Sequence, residues 1–267
     1  MHEEDLRPPP VDAAEAQGTG PPEPVPPPVP EREPFWGYAD LVLFAGLTVP
    51  SMLLGVMLVR VAMAVFHLRT DVSVAVMLPE QLVGYALLFG ALRVIFRVQY
   101  DRPFWSSLGW TPVPISVPFV VTAGVATAMA GILAAALIRL PATGNQMTEL
   151  LQQGNVAILL MAAFGVGIAP LFEELAFRGF LQPLLVRSFG AWAGVLTTGV
   201  AFGLLHFREY GNSWRHALLL SGAGACFGWM RHVTKSTKAS VVMHASYNGL
   251  LFLLLALALV AERNQHH

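Results

Sequence analysis

Two adjacent carboxylates inside an apolar run are the first residues of this sequence that could do chemistry. They stand in Ala169-Pro-Leu-Phe-Glu-Glu-Leu-Ala-Phe-Arg178. Glu174 and Arg178 are four residues apart, so on a helix they share a face and can form an ion pair. Such a pair neutralises both groups in apolar surroundings. Glu173 is turned about 100° away and is left without that partner, which suits a carboxylate to proton transfer. Two further polar spacings lie downstream. Phe202-Gly-Leu-Leu-His206 places an imidazole inside an apolar segment, and His244-Ala-Ser-Tyr-Asn248 places an imidazole and a carboxamide on one helical face. Ionisable groups in such segments are costly and point to function. Taken singly, Glu174–Arg178 reads more naturally as a brace than as a catalytic pair, and either histidine as a packing residue. Together with Glu173 and Asn248, in a chain with so few polar apolar-segment residues, they indicate one shared site.

The elements that must position these groups follow from composition. Of 267 residues, 55% are hydrophobic and 12% charged, about half the charge of an average soluble protein; the mean hydropathy is +0.57. Residues 1–34 hold eight of the seventeen acids and eleven of the twenty prolines. That segment has too little apolar surface to offset its ordering entropy and is expected to be a disordered acidic, Pro-rich tail. The rest carries nine acids and fourteen Lys/Arg, too few to solvate a soluble surface and without the basic stripe of a nucleic-acid binder. One cysteine, Cys226, excludes a disulfide scaffold. The expected class is all-α, a polytopic membrane bundle of about seven (six to eight) transmembrane helices. They are expected over about 39–66, 76–98, 115–139, 155–187, 191–208, 215–231 and 239–261. A division follows: tail 1–34, N-terminal helices 35–154, and helices 155–267 that carry the polar motifs. Glu80 is the one other acid expected within a span, with only Gln81 beside it, and reads as structural or interfacial.

Loop charge places the N-terminus inside, with eight Lys/Arg on the inner side against five outside, and so predicts a plasma (inner) membrane protein with a cytoplasmic N-terminus. The fourth and fifth segments form a hairpin at Phe189-Gly190. Glu173 and His206 are equidistant from that turn and so lie at similar depth. His244, only about two turns into its helix, reaches them if the hairpin projects past the neighbouring helix ends, or if the sixth helix is short or irregular.

The set Glu173-Glu174-x-x-x-Arg178, Phe202-x-x-x-His206 and His244-x-x-x-Asn248 resembles the three motifs of the CAAX protease and bacteriocin-processing family. That family is also called the Abi family, or the type II CAAX prenyl endopeptidases. The resemblance covers about 155–252, with a softer echo at Ser107-Leu-Gly-Trp110. It implies an intramembrane glutamic endopeptidase with no metal or other cofactor. Glu173 would be the general base for a water that His206 helps to hold, and His244 and Asn248 would donate to the oxyanion. Glu174 and Arg178 would support the site. The implied partners are the lipid bilayer and a peptide or protein substrate, prenylated or otherwise membrane-anchored.

Two other readings compete. A carboxylate and two imidazoles can hold zinc with an open position, although neither a His-Glu-x-x-His nor a Glu-x-x-His spacing occurs. A non-enzymatic immunity or scaffold protein of the same fold would use the helices without the chemistry. A transporter fits less well, since the polar residues have no counterpart in the first half.

Overall fold

The computed structural model describes residues 33–140, 150–151 and 153–265. Apart from its last two residues, the expected tail lies outside them. Among the described residues there are eight helices and no strand. They are α1 (Tyr38–Val65), α2 (Val74–Tyr100), the one-turn α3 (Phe104–Ser107), α4 (Val117–Leu137), α5 (Asn155–Phe189), α6 (Ala191–Leu205), α7 (Trp214–Thr234) and α8 (Thr237–Gln265). Local chemistry sets several ends. The Gly37 N–H donates to Asp40 Oδ2 at 2.8 Å at the start of α1. Ser116 accepts from the Phe119 N–H at α4. Asp101 closes α2 in the left-handed region (φ 52°), and Gly190, with φ 82°, separates α5 from α6.

The seven long helices occupy the seven expected segments, and the chain is an integral membrane protein. Five of them, α1, α2, α4, α5 and α8, are long and apolar enough to cross a membrane. The fifth and sixth expected spans differ. At 15 residues, α6 is about 22 Å long against a hydrocarbon core of roughly 30 Å. Helix α7 has the length, but Arg215, His216, Arg231 and His232 at its ends lower its hydropathy. A further acid belongs to a span: Asp40 lies in the first turn of α1, where it is buried and accepts from the Tyr100 hydroxyl at 2.8 Å.

Three buried apolar clusters join the helices. Trp36, Phe89, Phe96, Phe104 and Phe180 tie the segment before α1 to α2, α3 and α5. Val74, Leu78, Met161 and Phe164 join α2 to α5, and Val120, Phe227, Met243 and Tyr247 join α4, α7 and α8. Helices α6 and α7 approach each other closely through small residues. A Cβ on Gly203 would stand 2.2 Å from Ser221 Oγ and 2.3 Å from the Ala217 carbonyl, so only glycine permits that approach.

The depth question is answered by the hairpin. Thr237 Oγ1, at the start of α8, donates to the Leu108 carbonyl at 2.6 Å, and that same carbonyl lies against Gly179. Helix α8 therefore begins level with Gly179, and the α5–α6 turn at Gly190 projects about 16 Å beyond it. Tyr38 Oη donates to Ser188 Oγ at 2.8 Å near the projecting end, and the Arg187 guanidinium donates to the Pro34 carbonyl.

Helix α5 is not uniform. It contains two π-helical stretches, Ala163–Ile168 and Leu175–Leu181. Each ends two residues before a proline, Pro170 and Pro183. A proline in a helix interior lacks its N–H and crowds the carbonyl four residues back, here Val166 and Gly179. Widening the preceding turn relieves that crowding, and single π turns recur at functional sites. Carbonyls in the widened stretches accept from outside the helix: Gly165 from Asn248 Nδ2 at 2.7 Å and Phe180 from Trp36 Nε1 at 3.1 Å.

Candidate active site

Glu173 and Glu174 lie at the end of the α-helical turn between the two π stretches. Their one-residue offset sends them to different neighbours. Glu174 is fully buried and both of its oxygens are engaged. Its Oε1 accepts from Arg178 Nη1 at 2.8 Å and lies 2.9 Å from His244 Nδ1. Its Oε2 accepts from Ser240 Oγ at 2.6 Å. Arg178, also fully buried, donates through Nη2 to the Gly224 carbonyl at 2.6 Å. Its guanidinium lies over the Phe202 ring at 4.8 Å and the Phe227 ring at 5.5 Å. A buried charge is tolerable only when paired and hydrogen-bonded, and this pair has both.

Glu173 faces a cavity of about 620 Å³. His206, His244 and Asn248 line the same cavity, so the four residues singled out in the sequence meet in one place. Glu174 and Arg178 do not line it; they stand behind His244. The histidine nitrogens are distinguishable. His206, at the end of α6, has Nδ1 2.9 Å from the Phe202 carbonyl. A carbonyl only accepts, so Nδ1 carries the proton and the neutral ring leaves Nε2 as an acceptor. His244 stacks on Phe227 at 4.5 Å. With Nδ1 directed to the Glu174 carboxylate, its Nε2 stands 3.8 Å from Glu173 Oε2. Asn248 gives one amide hydrogen to the Gly165 carbonyl. Its second hydrogen remains for another acceptor.

Several participants were not read from the sequence. Ser240 precedes His244 by one turn, and the i, i+4, i+8 stripe Ser240–His244–Asn248 was there to be seen. Arg208, Glu209, Tyr210 and Tyr85 also line the cavity. Partial burial, and after it the charge of Glu209, push the Tyr210 phenol up, so it stays a neutral donor at ordinary pH. Glu209 gives no motif signal, because it lies in the loop between α6 and α7. The echo at Ser107-Leu-Gly-Trp110 also has a place. Its Leu108 and Gly109 carbonyls accept from Thr237 Oγ1 and from the Thr237 N–H (2.8 Å) and so hold the start of α8. Among the described residues, no three His, Cys, Asp or Glu side chains group as metal ligands.

Residues 155–250 match the family model described as type II CAAX prenyl endopeptidase Rce1-like. The matched segment begins at the first residue of α5, ends two residues past Asn248, and contains all three motifs. No curated protein and no solved structure matches the chain.

Proposed function

We propose that this protein is an intramembrane endopeptidase that hydrolyses a peptide bond near the membrane surface, with Glu173 activating the attacking water. The observation that carries the reading is the convergence of Glu173, His206, His244 and Asn248 on one cavity within the matched segment. A water between Glu173 and His206 would donate one hydrogen to the Glu173 carboxylate and the other to His206 Nε2. As its oxygen attacks the scissile carbonyl, Glu173 takes the proton. The oxyanion then meets Asn248 Nδ2–H and His244 Nε2–H. With Nδ1 directed to the Glu174 carboxylate, His244 donates there in its doubly protonated form. Glu173 returns its proton to the departing amine, which closes the cycle without an acyl-enzyme. Preset donors of this kind are worth roughly 3 kcal/mol each in the transition state.

Glu174, Arg178 and Ser240 act here as positioning residues. The division into N-terminal helices 35–154 and catalytic helices 155–267 belongs to the same proposal. So do a plasma-membrane location and a cytoplasmic N-terminus. The substrate class is a peptide or protein held at the membrane by a prenyl group or its own anchor. The apolar side of the cavity, with Met161, Phe164, Leu251 and Phe252, suits it. Mass spectrometry of membrane-protein termini, comparing cells that carry the wild type with cells that carry Glu173→Ala, tests the reading. New termini confined to the wild type are expected; identical termini would sink it and favour the scaffold alternative.

A further inference from the structure

Away from that cavity, three arginines and two tryptophans surround a second hollow of about 520 Å³. Its lining includes Arg93, Arg97, Arg102, Trp105 and Trp110, with the buried Phe104 as its floor. Arg93 and Arg97 are one helical turn apart on α2 and exposed. Helix α2 has 27 residues, and Arg93 lies about 29 Å from its first residue. A hydrocarbon core is roughly 30 Å thick, so in a span that starts at the opposite boundary these guanidiniums lie at headgroup level. The tryptophans belong at that level too. Trp105 is exposed and its ring lies 5.5 Å from that of Trp110, while Lys238 Nζ stands 5.2 Å over Trp110. Among the described residues, no carboxylate lines the hollow. The neighbouring Asp101 is engaged with Arg97, and Arg93 has no ion pair among the described residues.

We propose that this hollow binds the phosphate of an anionic phospholipid headgroup, with Arg93 and Arg97 on the phosphate and the tryptophans against the glycerol and upper acyl chain. The guanidinium fork matches a phosphate in geometry and charge, and exposed arginines beside an exposed Trp105 suit a lipid headgroup. The occupant would be coupled to the bundle, because Phe104 packs with Phe96 and Phe180 in the cluster that joins α2, α3 and α5. The inference is independent of the peptidase reading.

Native mass spectrometry of the full chain in neutral detergent, titrated with phosphatidylglycerol or phosphatidylcholine, tests it. Arg93→Gln and the double variant Arg93→Gln/Arg97→Gln change exposed side chains and leave the buried clusters intact. Arg69→Gln, in the loop between α1 and α2, is the control. The wild type should retain phosphatidylglycerol in preference to phosphatidylcholine. Retention should fall about fivefold with Arg93→Gln and further with the double variant, and stay unchanged with Arg69→Gln. Equal retention by wild type and double variant would overturn the site, as would an equal loss with Arg69→Gln, which marks diffuse charge. Complete displacement of the lipid by inorganic phosphate would assign a free-anion site instead.

Discussion

Among the described residues, two arginine–glutamate pairs lie within the helices, and they are held in opposite ways. Arg60 Nε and Glu80 Oε1, on α1 and α2, are 2.5 Å apart, and Arg178 Nη1 and Glu174 Oε1 are 2.8 Å apart. Distance does not separate them; surroundings do. The Arg60 side chain is 63% exposed and sits in the last turns of α1, where a long side chain can carry its charge out to the interface. Both members of the second pair are fully enclosed; Ser240 and His244 bond the Glu174 carboxylate and the Gly224 carbonyl accepts from Arg178 Nη2, while Arg178 Nε is buried without a hydrogen-bond partner. An enclosed pair tied to three neighbours holds a geometry. A pair with one exposed member, here Arg60 beside the buried Glu80, mainly lowers the cost of having a charge there.

The sharpest way to break this contrast is to remove one member of the enclosed pair. Arg178→Met leaves Glu174 buried without its counterion and should cost roughly 3–5 kcal/mol, read as loss of monodisperse protein or a large fall in thermal stability. The double change Glu174→Gln/Arg178→Met should recover much of that stability but not peptide cleavage. Next comes the contact that brings His206 to the cavity. Gly203→Ala puts a Cβ against Ser221 and Ala217 and should cost about 1–3 kcal/mol, with a loss of cleavage. Gly222→Ala, where nothing lies within 4 Å, should be close to neutral in the same thermal assay. Ser240→Ala removes one hydrogen bond to a buried carboxylate, worth about 1.5–3 kcal/mol at most. It should lower the cleavage rate more than substrate binding, since its target is the carboxylate that orients His244. Smallest is Arg60→Gln, whose amide can still donate to the buried Glu80; it is expected to change stability by about 1 kcal/mol and cleavage not at all. A loss with Arg60→Gln comparable to that with Arg178→Met would collapse the contrast.

Much of this was legible before any coordinates. The helical class and the seven segments follow from apolar run length, and the Glu174–Arg178 contact follows from helical period alone. Their burial and partners do not. Arg60 and Glu80 are a clear case: they are 20 residues apart, on different helices, and only the packing of α1 along α2 makes Arg60 the partner that Glu80 lacked in the sequence. Helices α6 and α7 fall in their expected segments but differ from the other five in length or hydropathy, because apolar composition does not say whether a helix crosses a bilayer or packs inside a bundle. The π stretches were missed, although Pro170 and Pro183 inside one long helical run were the local signal for them. Glu209 and Tyr85 join the cavity from a loop and from a different helix, and no spacing rule connects them to Glu173. Placement of the four motif side chains on one cavity is a tertiary result, and the hairpin midpoint gave only the shared depth of Glu173 and His206.

The account rests most heavily on Glu173, and its direct test is the cleavage rate of Glu173→Gln. The variant keeps the size of the side chain and its place in the cavity, but it cannot accept the proton of water. Reconstituted in the same vesicles as the wild type, and assayed on a peptide released only by the wild type, it should bind that peptide with unchanged affinity. Its cleavage rate should fall by about two to four orders of magnitude. Wild-type cleavage by Glu173→Gln at equal binding would contradict the account.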